Sequence, residues 1–104
     1  MSPRRAQPPR LSPKESLIVE LLIRDTELYG LQMVAGSRGR LKRGTVYVTL
    51  GRMEDKGFIT SREEAPPADE GGLPRRLYRA TPLGRHVYEA WNMAAAHMAL
   101  RFAR

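Results

Sequence analysis

The stretch Arg43–Ile59, which reads RGTVYVTLGRMEDKGFI, decides the fold that this sequence predicts. If residues 45–56 form a helix that turns about 100° per residue, Val46, Leu50 and Met53 share one face and form a core-facing stripe. The opposite face carries methyl groups, a hydroxyl group and two cations. The sequence therefore predicts an amphipathic helix whose outer face suits a polyanion, although an ordinary solvated basic face has the same pattern.

The two ends of this helix are also marked in the sequence. Lys42 and Arg43 lie beside its N-terminus, where unpaired N–H groups and the helix dipole favour a phosphate. Gly57 is typical of the residue that ends a helix. The predicted helix is therefore short, with its positive charge at the start and along the outer face.

Composition limits the class of protein. The 104 residues fit one domain, and the net charge of +7 predicts a polyanionic partner, which is nucleic acid, an acidic protein or an anionic membrane surface. The absence of cysteine excludes disulfides, a thiolate nucleophile and cysteine-ligated metals. No apolar run approaches the roughly 18 residues of a membrane-spanning helix, and no signal peptide is present, so we expect a cytoplasmic protein without a membrane partner.

Two helices are predicted before the organising stretch. Residues 12–15 read Ser-Pro-Lys-Glu, a capping box that starts a helix over 13–24 with a broad apolar surface. A shorter helix is predicted over residues 29–35, followed by a glycine-bearing turn over 36–40. Its predicted buried face consists of Leu31, Val34 and Ala35. Two helices, a turn and a basic third helix predict a helix-turn-helix, in which the third helix enters the major groove of DNA.

The residues after Gly57 change to a period of two, which predicts strands. We predict a hairpin with strands at 58–63 and 75–80, joined by a long loop rich in proline, glycine and acidic residues. A hairpin directly after the third helix is a wing. Because an acidic tip repels phosphate, the predicted contacts of the wing with nucleic acid are assigned to Arg75 and Arg76 on the second strand of the hairpin. The acidic residues of the tip are Glu63, Glu64, Asp69 and Glu70.

The two ends of the chain have different predicted roles. Residues 1–10 hold three prolines and three arginines and are predicted as a disordered basic tail, either a plain flexible terminus or an arm for an adjacent groove of a duplex. Thr81-Pro82 opens a last helix over residues 82–104, roughly 30 Å long. Its apolar stripe predicts packing against a second copy of the chain, and packing back onto the first helix is the alternative. The predicted dimer residues are Val87, Trp91, Ala94, Ala95, Met98 and Phe102.

In this order of elements the sequence resembles the PadR family of winged-helix transcriptional regulators. The matching segments are residues 28–31, 44–47, Leu50, 52–54, 57–59 and 75–84. Val48 departs from the family, which usually has proline there, and so does Gly51 within the helix. The predicted fold class is mainly α with a small β-hairpin: a winged helix-turn-helix of three helices plus a wing over residues 11–81, followed by a long C-terminal dimerisation helix over 82–104. That last helix matches the short members of the family in position and character.

The charge pattern and the resemblance together predict sequence-specific binding of double-stranded DNA by a homodimeric transcriptional repressor. Arginine can chelate guanine, and the methyl groups of valine and threonine can contact thymine, so the outward residues are predicted to read bases. These residues are Thr45, Val48, Thr49 and Arg52. The cations predicted to hold phosphates are Lys42, Arg43, Lys56, Arg75 and Arg76. Gly44 and Tyr47 complete the predicted DNA-binding set, and for Tyr47 a purely structural role is the alternative.

The sequence also allows predictions about an effector, a metal site and catalysis. The resemblance implies that Trp91 and Met98, with Phe102, contact a flat hydrophobic effector at the dimer interface, and a tryptophan that only packs there is the alternative. His86 and His97 lie roughly 16 Å apart on one helix, so no metal site is predicted, and no cofactor is expected. No spacing of catalytic residues is present, which predicts that the chain is not an enzyme. The alternative function is a winged-helix protein-interaction module that binds an acidic partner.

Overall fold

The computed structural model describes residues 9–65 and 74–102. Its elements are α1 Pro13–Asp25, β1 Leu28–Tyr29, α2 Gly30–Gly36, α3 Val46–Asp55, β2 Ile59–Glu64, β3 Arg75–Ala80 and α4 Pro82–Phe102. The three strands form one antiparallel sheet in the order β1-β3-β2. The predicted class, mainly helical with a small antiparallel sheet, is confirmed, and the sheet has one more strand than the predicted hairpin.

Helix α1 begins where the capping box predicts. The Ser12 amide donates to Glu15 Oε1 at 2.8 Å, and the Glu15 amide donates to Ser12 Oγ at 3.2 Å. Pro13 occupies the first turn, where its missing N–H costs nothing. The helix then supplies a third of the core through a run of buried side chains. These are Leu17, Ile18, Val19, Leu21 and Leu22.

The face of helix α2 that is buried differs from the predicted one. Met33 is its fully buried side chain, whereas Leu31 is 45 % exposed and Ala35 is exposed, so only Val34 of the predicted face packs against the core. The cause is β1, whose residues pair with β3 in the register Leu28↔Tyr78. This pairing holds the chain extended up to Tyr29, and α2 therefore starts at Gly30 with Met33 pointing into the core.

Helix α3 has the core face that the sequence predicts. Val46, Leu50 and Met53 are each at most 1 % exposed. The helix ends in a Schellman arrangement, in which the Phe58 amide donates to the Met53 carbonyl at 2.9 Å and Gly57 takes φ +81°. Because this cap uses the Phe58 amide, β2 begins at Ile59, one residue later than predicted.

Gly51 lies within α3 and offers a stability test. No atom lies within 4 Å of a Cβ built on Gly51, and its φ is not positive. We expect Gly51→Ala to raise the free energy of unfolding by about 0.5–1 kcal/mol, because alanine restricts the unfolded chain and favours the helix. Urea denaturation followed by circular dichroism measures this change. Gly57→Ala is the control and should destabilise, since its φ suits glycine; a loss of stability in Gly51→Ala would contradict the packing described.

Helix α4 packs on the core of the domain through its first two turns. Gly84 lies against the Phe58 carbonyl, Val87 is 5 % exposed within the core, and the Tyr88 hydroxyl donates to Glu20 Oε1 at 2.9 Å. Val87 therefore belongs to the core of its own chain, and its assignment to a dimer interface is wrong. From Trp91 to residue 99 every side chain is exposed, and the side chain of Phe102 lies outside the described residues. Within the described part of the chain, no helix is long and apolar enough to cross a membrane.

Candidate nucleic-acid interface

The outward face of α3 lines an open groove. Val48 is 56 % exposed, and Arg52 and Thr45 are also exposed, whereas the opposite face of α3 is fully buried. The far wall of the groove is the N-terminal turn of α1. The side chains that line the groove are Ser12, Lys14, Glu15, Thr45, Val48, Thr49, Arg52 and Lys56. The four residues predicted to read bases are thus brought together on one accessible surface.

Lys56 is engaged within the chain. Its Nζ lies 3.0 Å from Glu15 Oε2, and its ammonium group lies 5.9 Å from the centre of the Phe58 ring. Glu15 is only 5 % exposed, so the pair joins the C-terminal end of α3 to the N-terminal turn of α1. Lys56, which the sequence assigns to a phosphate contact, thus forms an ion pair with Glu15 while its side chain stays about half exposed.

Lys14 is the cation of this groove that the sequence prediction missed. It lies in the first turn of α1, exposed beside the outer face of α3. A positive charge at a helix N-terminus opposes the helix dipole, and this unfavourable placement was the available signal. Lys14 adds a positive charge to the groove, in which the charge of Lys56 is paired with that of Glu15.

The ionisation of Glu15 links this groove to folding. Burial alone would raise the pKa of Glu15, but the hydrogen bond from the Ser12 amide and the ion pair with Lys56 together hold the pKa below its ordinary value of 4.5. Since the folded-state pKa is the lower one, the stabilisation by Glu15 is present above about pH 4.5 and is lost as the pH falls through the folded-state pKa.

We expect Glu15→Gln to lower the free energy of unfolding by about 1 kcal/mol at neutral pH and to flatten its decline in acid, because glutamine keeps the shape but not the charge. Urea denaturation at several pH values between about 7 and 3 measures both effects. Glu89→Gln, an exposed position on α4, is the matched control and should retain the acid decline. An unaltered decline in Glu15→Gln would show that another group is responsible.

The N-terminus of α3 has no side-chain cap, and the Val46 amide donates to the Lys42 carbonyl at 2.9 Å. Thr45 is the N-cap, but its side chain does not cap the helix, and the Thr45 hydroxyl makes only a long 3.5 Å contact with the Lys42 carbonyl. Lys42, Arg43 and Gly44 precede it and are exposed. Among the described residues neither Lys42 nor Arg43 forms an ion pair, so their charge adds to the positive end of the helix dipole.

Tyr47 lies on the surface beside α2. It is 50 % exposed, and a Cβ built on Gly30 would lie 2.6 Å from Tyr47 Cε1. The ring therefore packs over the glycine at the start of α2, in an open groove that Arg75 and Arg76 also line. Tyr47 therefore has a packing contact with Gly30 and half of its surface accessible beside Arg75 and Arg76.

The basic side chains of the wing are held by neighbours. The Arg75 guanidinium lies 5.2 Å from the centre of the Tyr29 ring. Arg76 Nη1 donates to Ser61 Oγ at 3.1 Å, and Arg76 Nη2 lies 3.9 Å from Glu63 Oε1. The predicted wing contacts are thus exposed but partnered, and acidic residues of the same hairpin compete for one of them. Asp69 and Glu70 lie outside the described residues.

Tyr29 and Arg62 fix the wing to β1. The Tyr29 hydroxyl donates to Glu64 Oε1 at 2.6 Å, and this hydrogen bond is the main cause of the raised pKa of Tyr29. Arg62 donates to both carboxylate oxygens of Glu27, at 3.0 and 3.1 Å. These contacts join β2 to β1 and to the residue before it.

The exposed half of α4 carries the other predicted surface. Trp91 is 37 % exposed and Met98 54 % exposed, and Ala94 and Ala95 lie between them. Met93, 73 % exposed, belongs to the same half and was not predicted. The residues predicted for an effector, Trp91 and Met98, are both accessible on this helix.

The arrangement of three helices, with the third exposed and followed by a two-stranded wing, defines a winged helix-turn-helix domain. The sequence model of the transcriptional regulator PadR-like family matches residues 18–90. The chain therefore belongs to the PadR-like family of transcriptional regulators. This family is one of regulators, which agrees with the prediction that the chain is not an enzyme.

Individual relatives support the same assignment. The transcriptional regulator Rv3488 of Mycobacterium tuberculosis is 38 % identical over 64 residues, which are 59 % of this chain and only 56 % of that protein. A PadR family regulator from Clostridium difficile R20291 has 27 % identity and a TM-score of 0.71, over 89 % of this chain and 100 % of that one. Bacillus subtilis PadR, solved in complex with operator DNA, has 25 % identity and a TM-score of 0.67, over 79 % of this chain and 48 % of that one.

Proposed function

We propose that this protein is a homodimeric, sequence-specific repressor that binds double-stranded DNA with α3 in the major groove. The observation that carries the proposal is the division of α3 into a fully buried stripe and an exposed face with Thr45, Val48 and Arg52. A helix held so firmly by its inner side can present its outer side to base edges. The relative from Bacillus subtilis that was solved with operator DNA supports the same use of the fold.

The two classes of contact fall on different parts of the surface. Arg52 and Thr49 in the groove are assigned to base edges, together with the methyl groups of Thr45 and Val48. The N-terminus of α3, with Lys42 and Arg43, is assigned to phosphates, as are the wing arginines. Lys14 joins the phosphate contacts, because it borders the groove from the other side.

Dimerisation is assigned to the exposed half of α4. This helix has 21 residues, and beyond Trp91 it carries the exposed apolar side chains of Met93 and Met98. A second copy of the same helix would cover Met98, Ala94 and Ala95, and the small alanines permit close approach. Two α3 helices at a fixed separation would then bind two half-sites.

An effector would act through the same helix pair. Trp91 and Met98 offer an aromatic and a polarisable surface to a flat hydrophobic molecule at the dimer interface. Its binding would change the separation of the two α3 helices and release the operator. Repression itself follows from occupation of a promoter by the dimer.

A mobility shift on random duplex DNA at several salt concentrations tests DNA binding. Because phosphate contacts release counterions, the affinity should fall steeply as salt rises, by about 10³-fold or more between roughly 50 and 200 mM. Absence of binding at low salt, or binding that is independent of salt, would favour the protein-interaction module. An acidic partner protein would then be the ligand to seek.

The acidic wing gives a further prediction. In the free chain Glu63 lies close to Arg76, so a phosphate must compete with this carboxylate. We expect Glu63→Gln to raise the affinity for any duplex by about 3-fold, the scale of an exposed ion pair. Fluorescence anisotropy with a random duplex measures it. Glu89→Gln makes the same change of charge on α4 and should have less effect; equal gains would mean that only the net charge matters.

A further inference from the structure

Trp91, on α4, is tied to the residues that precede α1. Its indole Nε1–H donates to the Pro9 carbonyl at 2.7 Å, and the Arg10 guanidinium lies 5.3 Å from the centre of the indole ring. A planar guanidinium over an aromatic face is attracted to it, and the indole N–H has found an acceptor. Pro9 and Arg10, which the sequence assigned to a disordered tail, therefore lie against α4, whereas residues 1–8 lie outside the described part.

The segment Pro9–Leu11, which we call the strap, leads directly to the DNA-facing groove. After Leu11, which packs against the core, Ser12 begins α1 by exchanging hydrogen bonds with Glu15. Glu15 in turn accepts from Lys56 at the end of α3. The route from the middle of α4 to the helix assigned to the major groove thus consists of the Trp91–Pro9 hydrogen bond, the backbone of the strap with Leu11 packed on the core, and the contacts of Glu15 with Ser12 and Lys56.

We propose that Trp91 is a positioning residue for DNA recognition: by holding the strap, it fixes the first turn of α1 and, through the Glu15–Lys56 pair, the C-terminal end of α3. This inference rests on the proposed DNA binding. Coupling between two sites is typically worth about 5- to 150-fold in affinity, and a single contact of this series should contribute at the low end.

Two conservative substitutions isolate the strap. Trp91→Phe keeps an aromatic ring on α4 but removes the N–H donor, and Arg10→Lys keeps the charge but removes the planar stacking group. Tyr88→Phe is the matched control, because it removes another hydrogen bond between α4 and α1 and leaves the strap intact. Gel filtration of each variant establishes that its oligomeric state is that of the wild type.

We expect Trp91→Phe and Arg10→Lys each to weaken duplex binding about 3- to 10-fold and Tyr88→Phe to leave it unchanged. Combined with Glu15→Gln, Trp91→Phe should be non-additive, whereas Tyr88→Phe should be additive. Wild-type affinity in both strap variants overturns the proposal. An equal loss of DNA affinity in Tyr88→Phe also overturns the proposal, because any weakening of the contact between α4 and α1 would then have the same effect.

A measurement without DNA separates this inference from the proposed function. Trp91 is the only tryptophan of the chain, so its fluorescence reports on the strap. Glu15→Gln, in which the substituted residue lies on α1, should increase acrylamide quenching of Trp91, and Glu89→Gln should not. Increased quenching in a protein that fails to bind DNA would support the linkage and reject the DNA-binding function. Unchanged quenching in Glu15→Gln would overturn the linkage even where DNA binding is found.

Discussion

Replacement of Arg52 by alanine is expected to weaken binding to the preferred operator by about 1–3 kcal/mol, or roughly 5- to 150-fold, and to relax the sequence preference. Arg52 is exposed in the groove beside Val48 and Thr49, and its neighbour Met53 points into the core. Removal of the Arg52 side chain therefore removes the proposed contact to a base edge without disturbing the packing of α3. Fluorescence anisotropy with the selected duplex and with a random duplex measures the two affinities.

Two other arginine variants make the Arg52 result interpretable. Arg52→Lys keeps the positive charge but loses the bidentate geometry, so most of the discrimination should be lost with less of the general affinity. Arg75→Ala removes an arginine from the wing and should weaken all duplexes alike. If Arg52→Ala lost the same affinity on operator and on random DNA, Arg52 would be a phosphate contact, and the assignment of base readout to this face of α3 would be wrong.

Replacement of Gly84 by alanine is expected to destabilise the domain by about 3 kcal/mol or more. A Cβ at Gly84 would lie 2.0 Å from the Phe58 carbonyl oxygen and 2.8 Å from its carbon. Both are backbone atoms in the turn that joins α3 to β2, so no side-chain rotation relieves the overlap. Helix α4 could not then seat on the domain, and Val87 would leave the core.

The midpoint of urea denaturation, followed by circular dichroism, measures the effect of Gly84→Ala. Gly44→Ala is the matched control, because no atom lies within 4 Å of a Cβ built there and its φ is not positive. Its stability should stay within about 0.5 kcal/mol of the wild type. A wild-type midpoint for Gly84→Ala would contradict the close approach of α4 to the turn after α3.

The features that the sequence predicted well are those set by neighbours along the chain. The capping box at Ser12, the buried stripe of α3 and the glycine that ends it are local signals, because propensity, periodicity and cap chemistry act within one or two turns. The order of the helices and the wing could be predicted from these local signals. The function could not, and it was predicted from the resemblance to a family.

The features that the prediction missed depend on contacts between distant residues. Strand β1 has two residues, too few for any periodicity, and it exists because β3 lies beside it. Lys56 forms an ion pair with Glu15 across 41 positions, a contact that no local pattern in the sequence predicts. Val87 belongs to the apolar stripe of α4 in the sequence. It is buried in the core because Gly84 allows the start of α4 to pack closely against the Phe58 carbonyl.

The central claim is that two copies of α3, held at a fixed separation, read double-stranded DNA. Selection of preferred sequences from random duplexes by the purified wild-type protein tests it most directly. We predict enrichment of an inverted repeat whose half-sites have their centres about 10 base pairs apart, or a multiple of that distance. Recovery of duplexes with no enriched sequence, or with only a single half-site, would contradict it.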